Sequence, residues 1–175
     1  MTRTTTFAIV KATFAASFAA AAAVLAWLAT ASAQTAPSFE KKNYNYSEWA
    51  KGRFSEAVTV SFSGPAKMIF LAGVGAEDEN GKPGDIRHKD DFVAQCRYAY
   101  DKIRRALERN GASFADIVKI VSYVTDMRFQ ADYGRCRSEV FGTTPPPAHT
   151  LLNIVQLAWP GMMVEVDVTA MVPLK

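Results

Sequence analysis

Two titratable side chains in the last part of the chain stand where they could do chemistry. His149 follows the proline run Pro145-Pro146-Pro147-Ala148 and opens an apolar stretch, and Glu165 lies within Val164-Glu165-Val166-Asp167-Val168, where apolar and acidic residues alternate. An imidazole has an unperturbed pKa of about 6.5, so it can relay a proton or offer one hydrogen bond to a ligand. A carboxylate on a strand can orient a water or accept its proton. Asp167 falls two residues after Glu165, which puts both acids on one face of a strand.

The elements that must position these residues read as follows. Residues 151–157 are rich in Leu, Ile and Val, and residues 164–168 alternate, so both are predicted strands, joined by turn chemistry at Ala158-Trp159-Pro160-Gly161. Upstream, residues 55–62 and 68–72 read as two strands joined at Ser63-Gly64-Pro65 in a hairpin. Residues 73–84 combine glycines with Glu77, Asp78 and Glu79, which predicts a mobile surface loop; the spacing is wrong for a phosphate cradle and the acids would repel phosphate. A helix is predicted over residues 90–110, with Phe92, Cys96, Ala99, Ile103 and Leu107 on one stripe. Ser113 and Asp116 form a short capping box before a strand at 117–124. A second helix, 129–141, carries Phe129, Tyr133, Cys136 and Val140 on its stripe, and the prolines after Gly142 forbid its continuation.

This order of elements implies crossovers, hence an α+β fold: a mixed sheet with both helices on one face. The other face, left apolar and bare, is expected to be covered by oligomerisation.

The N-terminus reads as an export signal. Arg3 and Lys11 precede an apolar run at 12–29, and Ala31-Ser32-Ala33 is a small-x-small cleavage pattern. Residues 1–33 are therefore a predicted secretory signal peptide cleaved after Ala33, with a retained anchor helix as the alternative. Residues 34–53 then form an extended arm packing through its aromatic rings, and 54–175 the folded domain. Export would make the mature protein periplasmic or secreted, with no membrane association after cleavage. Removing Arg3 and Lys11 lowers the formal net charge of the 175-residue chain from +3 to +1, too little for a nucleic-acid partner. Cys96 and Cys136 could pair in an oxidising compartment or remain small buried hydrophobes. No spacing suggests a metal site, and no cofactor is called for.

Several blocks occur together: Gln95, Lys102-Ile103, Gly111-Ala112-Ser113, Asp116-Ile117-Val118-Lys119, Val124-Thr125-Asp126, Tyr133, Phe141, Pro146-Pro147-Ala148 and Val164-Glu165-Val166. In order and spacing they resemble the RidA/YjgF family of imine and enamine deaminases, also called endoribonuclease L-PSP or translation-inhibitor proteins, over residues 54–172. The resemblance implies a chorismate-mutase-like fold, a mixed six-stranded sheet with two helices, assembled as a homotrimer with ligand clefts between subunits. It also implies a hydrolase acting on C–N (imine) bonds of a small metabolite, without metal, cofactor or covalent nucleophile. Glu165 matches the glutamate that orients water. His149 occupies the position of an arginine that holds the substrate carboxylate with a two-pronged bond. Phe54 stands in place of a common tyrosine, and Ala72-Gly73 in place of Ser-Gly. Each lost hydrogen bond to a charged ligand would weaken binding by roughly 1.5–3 kcal/mol. The archetypal 2-iminoacid substrate is thereby weakened, and a non-catalytic small-molecule-binding protein is the alternative. In either case binding of a carboxylate through His149 would strengthen as pH falls through its ordinary pKa. The RNA-cleaving label is opposed by export and near-neutral charge.

Overall fold

A computed structural model describes residues 38–174; the predicted signal peptide lies outside them. Among these residues are strands β1 (Phe39–Tyr44), β2 (Ala57–Phe62), β3 (Ala66–Gly75), β4 (Ile117–Val124), β5 (Ala148–Asn153) and β6 (Val164–Pro173). The helices are α1 (Phe92–Arg109) and α2 (Gln130–Phe141).

A four-stranded mixed sheet in the order β3-β6-β4-β5 forms the body, with β4 parallel to β5 and the other pairs antiparallel. Its sidedness follows from β6, where Val164, Val166, Val168 and Ala170 are buried and Glu165, Asp167 and Thr169 are only partly so. The buried set packs with Phe92, Cys96, Ile103 and Leu107 of α1 and with Tyr133, Cys136 and Phe141 of α2 in one core. Asp91 caps α1 by accepting from the Ala94 amide, and the Ser113–Asp116 capping box forms as its sequence suggests. Cys96 and Cys136 are joined by a disulfide that ties α1 to α2.

The expected six-stranded sheet is not formed by the described residues, and β2 does not make a hairpin with β3. Instead β2 pairs antiparallel with β1 over its whole length, Phe39 opposite Phe62 and Tyr44 opposite Ala57. The predicted arm therefore contains a regular strand, and its rings are less packed than expected: Tyr46 and Trp49 are exposed. The two-stranded ribbon is anchored at the proline run before β5. Ser55 bridges to Ala148, its amide and hydroxyl donate to the carbonyls of Pro147 and Pro146, and the Asn43 amide also donates to Pro146. The prolines lack the N–H that would continue a helix or a ladder, and their carbonyls are satisfied by these donors from the ribbon.

Two boundaries also shift. The strand expected at 151–157 begins at Ala148 and ends at Asn153, so His149 lies inside it. The segment after β3 makes specific contacts: Asp78 and Asp85 close a turn, and ion pairs run from Glu77 to Lys102, Asp78 to Arg87 and Glu79 to Arg105.

Candidate functional site

Strand register decides which side of the sheet each candidate faces. His149 is opposite Ile120 in β5–β4 pairing, and Ile120 is opposite Val168, so His149 points to the helix side. Glu165 is opposite Tyr123, and side chains alternate along β4, so Glu165 points to the bare side. The two residues that sequence reasoning placed in one site lie on opposite faces of the sheet within one chain.

His149 Nε2 lies 3.2 Å from Ser122 Oγ. Ser122 Oγ bonds in turn to Tyr133 Oη, which lies 2.7 Å from Tyr100 Oη. Ser122, Tyr133 and Tyr100 are essentially inaccessible to water. The imidazole stacks on the Tyr133 ring at 5.7 Å, and the Phe54 ring lies 6.3 Å away. Phe54 meets Trp49 edge-on at 5.3 Å. Together with residues of α2 these rings line a cleft of about 860 Å³. Burial first, then the positive charges of Arg137 and Lys119, push the His149 pKa down to about 3. The imidazole is thus neutral from pH 5 to 8. The expected strengthening of carboxylate binding through imidazole protonation in that range does not hold, because a desolvated site beside a guanidinium disfavours a second cation.

On the bare face, Glu165 rests against Gly73. A Cβ at position 73 would stand 2.2 Å from Glu165 Oε1, so the glycine makes room for the carboxylate. Ala72 is exposed beside it, where the β3–β6 register shifts between Leu71 and Val74. Tyr123 Oη donates to Asp167 Oδ2 at 3.1 Å. Burial raises the Glu165 pKa, and neighbouring Glu77 and Asp167 raise it further. The candidates therefore divide into two groups, His149 with Phe54 in the helix-side cleft, and Glu165 with Ala72 and Gly73 on the bare face.

Sequence reasoning missed Arg137. It lies four residues after Tyr133 and four before Phe141, on the inward face of α2, and only 8% of its surface is exposed. That spacing was a usable signal, because a cation on a buried stripe needs a partner. Arg137 lines the cleft, donates from Nη2 to the Arg53 carbonyl and sits over the Tyr133 ring at 6.0 Å.

The chain matches the family model described as Endoribonuclease L-PSP over residues 45–172. The RutC family protein YjgH of Escherichia coli K12 is 31% identical over 129 residues, covering 73% of this chain and 89% of that protein. A crystal structure of a member of the YjgF/YER057c/UK114 family from Mycobacterium tuberculosis is 28% identical, with a TM-score of 0.51, over 76% of this chain and 100% of its own. A Rid-family protein of unknown function, YyfB from Yersinia pestis, superposes with a TM-score of 0.65 at 22% identity, over 75% of this chain and 98% of its own; that likeness concerns the fold.

Proposed function

We propose, from the premise that this chain belongs to the RidA/YjgF (endoribonuclease L-PSP) family, that it hydrolyses the C=N bond of small imine metabolites, including imines formed when an enamine tautomerises. The observation that carries this reading is Glu165, a carboxylate with a raised pKa held in the space that Gly73 leaves open. A carboxylate of raised pKa is a better proton acceptor near neutral pH. In the proposed reaction Glu165 takes a proton from water as the oxygen adds to the imine carbon. Glu165 returns that proton to the nitrogen, giving the carbinolamine, whose hydroxyl proton then passes to nitrogen as the C–N bond breaks, releasing ammonia and leaving a C=O product. The imine carbon is already electrophilic, so positioning and proton transfer suffice.

We place this reaction at clefts between the copies of a homotrimer. Glu165 and His149 face opposite ways in one chain, so a cleft using both would draw them from different copies. Met68, Phe70 and Leu152 are exposed on the same face as Glu165 and offer an apolar surface for such packing. The Cys96–Cys136 disulfide fits a protein exported to the periplasm or beyond.

The test supplies the mature protein with 2-iminopropanoate generated in situ and follows ketoacid release. Acceleration by the parent and a loss of roughly 10²–10⁴-fold in Glu165→Ala are expected. No acceleration between pH 5 and 8 would remove 2-iminoacid hydrolysis and favour the binding-protein reading.

A further inference from the structure

We propose that Arg137 of α2 and the Nδ1–H of His149 form a carboxylate receptor in the helix-side cleft, the guanidinium coming from the helix and not from the strand position that His149 occupies. The inference rests on the reading of this cleft as a small-molecule site and extends it by naming the ligand group and the residues that hold it.

The first observation is an unbalanced charge. Arg137 is more than nine-tenths buried, yet no carboxylate lies within ion-pair distance of it among the described residues. Its one hydrogen bond there is from Nη2 to the Arg53 carbonyl. Of the other charged groups around the cleft, Arg135 is paired with Asp132 and Glu139 with Arg97, while Arg53 has no acidic partner among the described residues. The cleft is therefore positive after its ion pairs are formed. A buried guanidinium without a counter-charge is costly, and an anionic ligand offsets that cost. The planar fork of arginine matches a carboxylate in particular.

The second observation fixes the histidine proton. Three hydroxyls and one ring nitrogen form the chain Tyr100–Tyr133–Ser122–His149. Tyr100 Oη has Tyr133 as its hydrogen-bond partner, and no buried side-chain nitrogen or oxygen among the described residues lacks one. If His149 Nε2 donated, every bond would run inward and the Tyr100 hydrogen would end in the core with no acceptor. If Tyr100 donates to Tyr133, Tyr133 to Ser122 and Ser122 to Nε2, each hydroxyl hydrogen is used. The outward order is the satisfied one, so Nε2 is the acceptor and the proton of the neutral ring is on Nδ1. Nδ1 has no protein partner among the described residues and belongs to a residue that lines the cleft.

The two donors flank one ring. His149 stacks on the Tyr133 ring at 5.7 Å, the Arg137 guanidinium lies 6.0 Å from the same ring, and all three residues line the cleft, so a carboxylate bound beside Tyr133 could meet both donors. Phe54, Trp49 and Leu151 leave an apolar wall for the remainder of the ligand. The fitting class is a small carboxylate with a short apolar substituent, the class to which 2-iminoacids and 2-ketoacids belong.

Calorimetric titration of the mature protein with pyruvate, and with methyl pyruvate as the neutral control, tests this. Pyruvate is expected to bind at least about tenfold tighter than the ester, and Arg137→Gln to lose that advantage without changing ester affinity. Arg137→Lys keeps the charge but not the fork and is expected to fall between them; it also serves if the Gln variant does not fold, as judged by its thermal melt. Nitrogen NMR of labelled histidine is expected to show the Nδ1–H tautomer between pH 5 and 8. Equal affinity of the parent for acid and ester, or undiminished pyruvate binding in both folded Arg137 variants, overturns the receptor. Glu165→Ala separates this from the hydrolase reading. Retained pyruvate binding with no imine hydrolysis by any variant leaves the receptor standing and the hydrolase reading fallen. Imine hydrolysis with pyruvate binding indifferent to Arg137 does the reverse.

Discussion

The two faces of the sheet treat their titratable residues in opposite ways. On the helix side, His149 is desolvated beside a guanidinium, and its pKa falls to about 3. On the bare side, Glu165 is desolvated beside Glu77 and Asp167, and its pKa rises. Both shifts favour the neutral form, but they act on stability with opposite signs. A histidine with a depressed pKa costs stability as pH falls from about 6.5 towards 3, since the unfolded chain takes up the proton first. A carboxylate with a raised pKa gains stability as pH falls, and loses it as pH rises through its folded value. On the helix side, burial and a buried cation thus keep His149 neutral, whereas the bare face holds acids close together.

Breaking that contrast is expected to have its largest effect at acid pH. Between pH 6.5 and 3 the parent should lose up to about 1.4 kcal/mol per pH unit through His149, and His149→Gln, which keeps an acceptor for Ser122, should flatten that slope in chemical denaturation. Reduction of Cys96–Cys136, or its replacement by a pair of alanines, is expected to cost about 4 kcal/mol at neutral pH, from the loop the bond closes. Tyr133→Phe interrupts the hydroxyl chain in its middle and should cost roughly 1–3 kcal/mol, against about 1 kcal/mol for Tyr100→Phe at its end. Equal costs would contradict the outward direction of donation. The smallest stability effect belongs to Gly73→Ala. Its Cβ meets only the flexible Glu165 side chain, so the melt should move little while imine hydrolysis drops as the carboxylate is displaced.

Much of the fold could be read from the residues because periodicity and packing agreed. The α1 stripe from Phe92 to Leu107 is buried throughout, and the alternation at Val164–Val168 gave the sidedness of β6. The β2–β3 hairpin failed because a turn-like Ser63-Gly64-Pro65 says nothing about which edge a strand will pair with. Here β1 supplied a partner, and open proline carbonyls anchored the ribbon elsewhere. The site was legible residue by residue but not as an arrangement. Glu165 and His149 could each be singled out, yet their separation by the sheet depends on register between β4, β5 and β6, which local sequence does not carry. Arg137 has the helical spacing of a buried position, but arginine side chains usually reach water, so its residue type masks its place in the cleft.

The bond between Cys96 and Cys136 also changes how the chain would come apart under a protease. It encloses the rest of α1 after Cys96, all of β4 and the start of α2 in one covalent ring, and Arg137 is the first residue outside it. A single cut within that ring, at the turn carrying Phe114 or at the one carrying Arg128, would leave one molecule on a non-reducing gel and two pieces after reduction. The two helices would remain fastened, and the guanidinium would stay beside His149 in a chain that had already been severed.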